Sequence, residues 1–442
     1  MIQPLLFRCV AGPDLGKRLA LGDGYVRVGR AAECNILSDD PEVADRHIVL
    51  TRDGQRVTVE AVASAAIYVD GQLVRTATLA VGQQVRVGRS LWEVATVEVA
   101  QVPQSGIFGK VRAQVAAVAG VDKLQGWSAS EMFSDVFKKR TDEEQEEYFN
   151  VGTRTTTPAL EAIQAKGWPK PWAFVRFLLL SSAVFALFAW AWQRFSNPYL
   201  IPGLILVGSF AIPCSILVFF FEMNVARNVS LYQILKLLLL GGIVSLCVSL
   251  LFFEWTSLDN WLGAMSAGIV EESGKGLTLL LIVRKRRYPW TLNGMLFGAT
   301  IGTGFAVFET SGYALTSGLN SGMDSLFHTI YERGALSILG GHALWTALVG
   351  GALWRVRGQR EFKWEMLRDP QFLRVLALCM ALHMLWNSPI ELPLELKFIA
   401  IGFITWIAVL SYIQFGLAEI RQAQRAGGAT EAIVIPIESR AG

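Results

Sequence analysis

Two adjacent carboxylates and a lysine, Glu271, Glu272 and Lys275, interrupt an otherwise apolar segment running from 262 to 283. That segment is long enough to span a bilayer. An ionisable group at the centre of such a helix costs roughly 2.5–3.5 kcal/mol, whereas each Leu or Ile returns only about 0.3–0.6. Three such groups cancel most of the apolar gain, so buried partners or a function must offset the cost. On a helix, Glu271 and Lys275 are four apart and Glu272 and Lys275 three apart, so either carboxylate can meet the lysine. Adjacent residues diverge by about 100°, so the two carboxylates point different ways. Carboxylates this close in low dielectric resist ionising together, an arrangement suited to general acid/base chemistry. A structural ion pair that locks helix packing is the other reading of the same residues.

The rest of the composition agrees with a membrane protein that carries a soluble part. Of 442 residues, 52% are apolar and the net charge is only +3, so no nucleic-acid partner is implied. Cys9, Cys34, Cys214, Cys247 and Cys379 are scattered, without disulfide or zinc-knuckle spacing. Met1-Ile2-Gln3-Pro4 is not a basic region leading into a long apolar run, so the first domain is expected to stay in the cytoplasm.

Residues 1–100 read as an all-β sandwich, with short β-branched runs between turns at Leu21-Gly22-Asp23-Gly24, Asp53-Gly54, Asp70-Gly71 and Val81-Gly82. Within them stand Val28-Gly29-Arg30, Cys34-Asn35-Ile36, Arg46-His47 and Tyr68-Val69-Asp70-Gly71. This stretch resembles the forkhead-associated (FHA) domain, a reader of phosphothreonine peptides. The resemblance assigns phosphate binding to Arg30 and a structural role to His47, and implies a phosphothreonine protein or other cytoplasmic protein as partner. Ala44 and Ala65 stand where the family has a serine and an asparagine that grip the peptide, so two hydrogen-bond partners are missing.

Residues 101–170 read as a partly helical cytoplasmic linker. Its acidic run Asp142 to Glu147 forms a solvated face, and Trp168-Pro169-Lys170-Pro171-Trp172 an interfacial anchor. Between 171 and 420 eight apolar spans are predicted, at about 173–193, 200–221, 231–253, 262–283, 292–315, 334–354, 371–389 and 397–417. The connections at Arg284-Lys285-Arg286-Arg287 and Arg355–Arg368 are basic, and those at Glu254–Asp259 and Glu391–Glu395 acidic. The positive-inside rule then places both termini in the cytoplasm of a bacterial-type inner (plasma) membrane, with 421–442 as a cytoplasmic tail. The fold class is therefore multi-domain: an N-terminal all-β sandwich followed by an all-α polytopic membrane domain.

Other ionisable groups recur inside these spans. Glu309 lies in the fifth, His342 in the sixth, and His383 and Asn387, four apart, in the seventh. Counted from the outer ends, Glu271 and His342 lie roughly 12–14 Å deep and Glu309 and His383 roughly 9 Å, one layer in the outer half of the membrane. Together Glu271-Glu272-x-x-Lys275, Gly304-Phe305-Ala306-x-x-Glu309 with Tyr313, Gly341-His342-Ala343-Leu344-Trp345 and His383-x-x-Trp386-Asn387 resemble the PrsW family of intramembrane proteases, over about 170–420. That family is related to the CAAX prenyl endopeptidases and to the scaffold subunit of γ-secretase. Asn293 and Thr310 replace the family's usual Asp and Asn.

The resemblance implies catalytic importance for Glu271, Glu272 and His342, and supporting roles for Glu309, His383 and Asn387. In the expected mechanism Glu272 or Glu271 is the base for a water shared with His342. His383 and Asn387 donate to the oxyanion, and Lys275 holds one glutamate ionised. Zinc is an open alternative, with Glu272, His342 and His383 as ligands and one position left for water; a metal-free glutamate mechanism is the other. The implied substrate is a membrane-anchored protein such as an anti-sigma factor or another signalling protein. Two rivals from other classes remain, a non-catalytic scaffold of the same fold and an ion or proton transporter. The absence of internal repeats argues against the transporter.

Overall fold

A computed structural model describes residues 5–96 and 107–431, apart from 22, 23, 32, 33, 55, 123 and 125. The expected turn at Gly22-Asp23, the first residues of the 101–170 stretch and the end of the expected tail lie outside the described residues. The chain divides into two compact units, Met1–Gln104 and Ser105–Gly442.

The first unit is a β-sandwich. Its strands are β1 (Leu5–Ala11), β2 (Arg18–Leu21), β3 (Gly24–Gly29), β4 (Ile36–Leu37), β5 (Ile48–Asp53), β6 (Arg56–Ala61), β7 (Ile67–Val69), β8 (Gln72–Val74), β9 (Thr76–Leu79), β10 (Gln84–Val87) and β11 (Ser90–Thr96). One sheet has the order β2-β1-β11-β10-β7-β8 and the other β4-β3-β5-β6-β9. Period-2 alternation sends Leu5, Phe7 and Cys9 of β1 and Ile48 and Leu50 of β5 inward. Phe7 stacks on Trp92 at 5.1 Å between ring centroids in the middle of this core.

The second unit is helical. Among the described residues, six of its helical segments are long and apolar enough to cross a membrane: Ala173–Phe195, Pro198–Met223, Leu231–Thr256, Thr291–Ser321, Met323–Arg357 and Pro393–Ala426. The helices used below are α1 (Ala173–Phe195), α2 (Ile201–Met223), α3 (Leu231–Thr256), α4 (Ser266–Thr278), α5 (Thr291–Ser321), α6 (His342–Arg357), α7 (Pro370–Trp386) and α8 (Leu396–Glu431). Two of the eight expected spans fall outside these six segments; their helices, α4 and α7, run 13 and 17 residues. The fourth apolar segment is broken at Gly263, whose φ of +54° ends one short turn before α4.

Small residues set how closely these helices approach. On α5, Gly294, Gly298 and Gly302 recur every fourth residue against the α6 backbone at Gly350, Thr346 and His342. Gly304, on another face of α5, abuts Leu238 and Gly242 of α3. Gly268 and Gly274 let α4 sit against α7 and α3 respectively. The carboxylate helix is thereby held between two neighbours, with Glu271, Glu272 and Lys275 all buried.

Residues 107–170, expected to form a linker, pack on this bundle. Val115, Ala119, Met132, Val151 and Ile163 belong to its hydrophobic core, and Tyr412 donates to the Ala119 carbonyl at 3.1 Å. The acidic run forms the helix Asp142–Phe149, started by a capping box between Thr141 and Glu144.

Candidate active site

The fifth long span is not one continuous helix. A π-helical turn at Ile330–Gly334 and a 3-10 turn at Ala335–Ile338 precede a break at Gly340-Gly341, and α6 starts at His342. Irregular backbone of this kind is tolerated at membrane depth where protein buries it or a cavity adjoins it. The break places the His342 ring beside α4, while the last turn of α7 brings in His383.

Six ionisable residues then meet at one point. Glu272, wholly buried, accepts from Lys275 Nζ at 2.6 Å and from His383 Nδ1 at 3.0 Å through the same oxygen, Oε1. His342 uses Nε2 toward Glu309 Oε2 at 2.9 Å and Nδ1 toward Lys275 Nζ at 2.7 Å. Glu271 Oε2 is buried with no hydrogen-bond partner, 3.9 Å from His342 Nδ1 and 3.8 Å from His383 Nε2. Carboxylates on the far nitrogens fix both tautomers, leaving His342 Nδ1 and His383 Nε2 with lone pairs that face Glu271. Aromatic rings hold the imidazoles: Trp345 stacks on His383 at 4.9 Å, and Phe305 lies 5.0 Å from His342. The Phe305 face also lies 4.6 Å from Lys275 Nζ.

A metal ion fits this donor set. Glu271, His342 and His383 each offer one atom, all within 4.8 Å of one another. Tetrahedral zinc with bonds near 2.0–2.1 Å needs donors about 3.4 Å apart, so a small inward movement suffices. The orphaned oxygen of Glu271 and the two carboxylate-backed imidazoles are what such a site requires. One contact opposes it: the Lys275 ammonium occupies the His342 Nδ1 lone pair, so a metal there requires Lys275 to withdraw to Glu272.

Among the expected metal ligands, Glu272 gives way to Glu271. Glu272 Oε1 is committed to Lys275 and to the back of His383, and so acts behind a ligand. His383 is also not available as an oxyanion donor, because its N–H is directed at Glu272 while its other nitrogen faces Glu271. Asn387 stands apart from the carboxylates and donates to the Ala264 carbonyl at 3.2 Å. It does, however, wall a cavity of about 20 Å³ together with His342, His383 and Arg333. That volume has room for one water.

Arg333 escaped the sequence reading, which placed it in an outer connection. Its guanidinium lies 2.5 Å from Glu309 Oε2 and 4.1 Å from the Tyr313 ring centroid, so it backs the carboxylate that orients His342. The unpaired charge of Glu309 was the available signal, since a buried carboxylate calls for a cation. Arg333, Trp386 and Asn387 also line a larger cavity of about 580 Å³ at the end of α7.

In the sandwich, Arg30 is half exposed, 3.7 Å from Asp45 Oδ1. His47 is buried, its ring nitrogens engaged by the Ala44 N–H at 3.0 Å and the Ala66 carbonyl at 3.0 Å, a structural role. Ala65 packs against the core and offers no polar group to a peptide.

No curated protein matches the chain. Among solved structures, the N-terminal part is similar to the FHA domain of CT664 from Chlamydia trachomatis, at 21% identity over 21% of this chain and 96% of that one, with a TM-score of 0.20. It is likewise similar to the cytoplasmic domain of the T3SS sorting platform protein PscD from P. aeruginosa, at 26% identity over 21% of this chain and 81% of that one, with a TM-score of 0.20. Residues 8–98 match the family described as inner membrane component of T3SS, cytoplasmic domain. Residues 213–413 match the family described as PrsW family intramembrane metalloprotease, and they contain every member of the buried cluster. This multi-pass membrane chain therefore carries a PrsW family intramembrane metalloprotease domain, joined to an N-terminal FHA-like domain.

Proposed function

We propose that the chain is an intramembrane endopeptidase that hydrolyses a peptide bond of a membrane-anchored protein at Glu271, His342 and His383. The observation that carries this reading is the convergence of an unpartnered buried carboxylate oxygen with two imidazole lone pairs, beside a cavity with room for one water. These three residues would hold a divalent ion, which would supply Lewis-acid polarisation and an acidified water. Glu309 and Glu272 keep each imidazole in one tautomer, and Lys275 keeps Glu272 ionised. In the metal-free alternative Glu271, whose oxygen facing the imidazoles is then uncommitted, would instead receive the proton of the attacking water. Asn387 and Arg333, on the wall of the small cavity, donate to the oxyanion of the tetrahedral intermediate. The larger cavity, which shares Arg333, Trp386 and Asn387 with the small one, would admit the substrate to the site.

On the same reading α4 and α7 also cross the bilayer, giving eight crossings with both termini in the cytoplasm of a plasma membrane. The organisation is an FHA-like domain over 1–100, a connecting segment over 101–170, the protease domain over 171–420 and a tail over 421–442. The FHA-like domain recruits a cytoplasmic partner, with Arg30 as its anion contact. Phosphothreonine binding is weak, because Ala44 and Ala65 supply no side-chain hydrogen bonds. The substrate class is a single-pass signalling protein, of which an anti-sigma factor is one kind.

The test compares purified parent and Glu271→Gln protein on a panel of single-pass membrane proteins, with and without a chelator. Cleavage by the parent alone is expected. Equal cleavage by both would take catalysis away from Glu271, and cleavage by neither across the whole panel would leave the non-catalytic scaffold as the better reading.

A further inference from the structure

Where α1 begins and α2 ends, the helical unit carries a further, half-open cavity of about 1110 Å³, remote in sequence from the buried cluster. It lies at the end of the bundle that carries the basic connection: Arg287 bonds the Gly152 carbonyl, and Asn228 donates to the Arg287 carbonyl at 3.4 Å. Ends of spans mark the headgroup level of a bilayer.

The wall of this cavity is cationic and aromatic. Arg140, Lys166, Lys170 and Arg227 line it, together with Trp168 and Trp172. Arg140 and Arg176 lie over the Trp172 ring at 4.3 and 4.9 Å, and Arg227 over Tyr148 at 4.7 Å. Three carboxylates also line it. Glu222 is turned away into the start of α1, where it accepts from the backbone N–H groups of Trp172 at 2.8 Å, Ala173 at 3.0 Å and Phe174 at 2.7 Å. Its charge is thus set against a helix N-terminus. Asp135 lies 4.0 Å from Lys170, and Glu161 is exposed on the rim. The cations outnumber the acids left to face the cavity.

We propose that this cavity binds a phosphate-bearing anion, supplied by the headgroup of an anionic lipid. Basic pockets at the cytoplasmic ends of membrane helices hold such headgroups, and Trp side chains favour the same depth. Occupancy would tie residues 135–172 to the first two membrane helices through charges both already contribute.

Native mass spectrometry of the full chain in detergent tests this, with phosphatidylglycerol and phosphatidylcholine as probes. Phosphatidylglycerol should be retained preferentially. Lys166→Glu/Lys170→Glu, which alters two exposed side chains, should lower that preference about tenfold. Lys236→Glu, which changes an exposed lysine of α3 outside the cavity, should leave it unchanged. Equal retention of the two lipids overturns the proposal. So does an equal loss in Lys236→Glu, which would mean unspecific surface attraction. Displacement of phosphatidylglycerol by millimolar inorganic phosphate, with binding of phosphate in its place, would overturn the lipid as the source of the anion.

Discussion

Glu271 and Glu272 are neighbours in sequence with different work. Glu272 spends one oxygen on Lys275 and His383, while the Glu271 oxygen facing both imidazoles has no partner. Glu271→Gln and His342→Ala are each expected to abolish cleavage of a reporter substrate while the protein remains inserted and monodisperse. Gln is nearly isosteric with Glu and easier to bury, so the glutamine variant should unfold no earlier than the parent. Asn387→Ala should retain weak activity, since losing one oxyanion donor costs about 10²–10³ in rate. Equal rates for parent and Glu271→Gln would make the carboxylate a packing device. Lys275 bears on the metal in the opposite sense. Its ammonium takes the His342 Nδ1 lone pair and lies 4.0 Å from Glu271 Oε2, so it competes with a divalent ion for both. Lys275→Met should therefore hold zinc about tenfold more tightly against a chelator. Weaker or unchanged retention would mean that the lysine serves the site only by holding Glu272.

Helix packing brings these residues together, and the sequence showed it only in part. The polar residues inside apolar spans were legible because each breaks a hydropathy pattern. The break at Gly340-Gly341 was not, because a glycine pair in an apolar run reads equally well as close helix packing. Nor was the role of Arg333, whose position next to Glu309 depends on the π-helical turn Ile330–Gly334. The α5 glycine edge makes a sharper claim about elements. A Cβ at Gly298 would collide with the Thr346 carbonyl of α6, which is backbone and cannot swing aside. At Gly312, on the same helix, a Cβ meets nothing within 4 Å. Gly298→Ala should thus lower the thermal midpoint in detergent and weaken zinc retention together, because α6 carries His342. Gly312→Ala should be neutral or stabilising by about 0.5–1 kcal/mol, the usual gain of Ala over Gly inside a helix. Equal effects at the two positions would show that α5 and α6 are not packed through this edge.

At the scale of the whole chain, turn spacing was enough to separate a β unit from a helical one. It could not show that residues 107–170 pack on the bundle, because a short apolar helix followed by polar, turn-rich sequence reads equally well as part of a linker. Sheet order was equally hidden, since β1 pairs with β11 across almost the whole unit. The eight-crossing arrangement predicts that reporters fused at Ser321 and Arg286 lie on opposite sides of the membrane; finding both on one side would sink it. The sandwich should also answer to acid through one buried carboxylate. Asp14, buried in the sandwich, accepts from Ser38 Oγ at 2.5 Å, the Asp39 N–H at 2.7 Å and Lys17 Nζ at 2.9 Å. Burial acts to raise its pKa, but the Ser38 and Lys17 hydrogen bonds and the Asp39 N–H outweigh it and hold the carboxyl below its ordinary value. A carboxyl depressed in the folded state stabilises fully above its unfolded pKa, about 3.9, and loses that contribution as pH falls through the lower folded value. Asp14→Asn cannot ionise and lacks the contribution at every pH. In urea unfolding of the isolated N-terminal unit, parent and variant should therefore differ most near neutrality. The gap should narrow steadily below about pH 4. A gap of the same size at both ends of that range would mean that Asp14 acts through shape alone and that its charge contributes nothing to the sandwich.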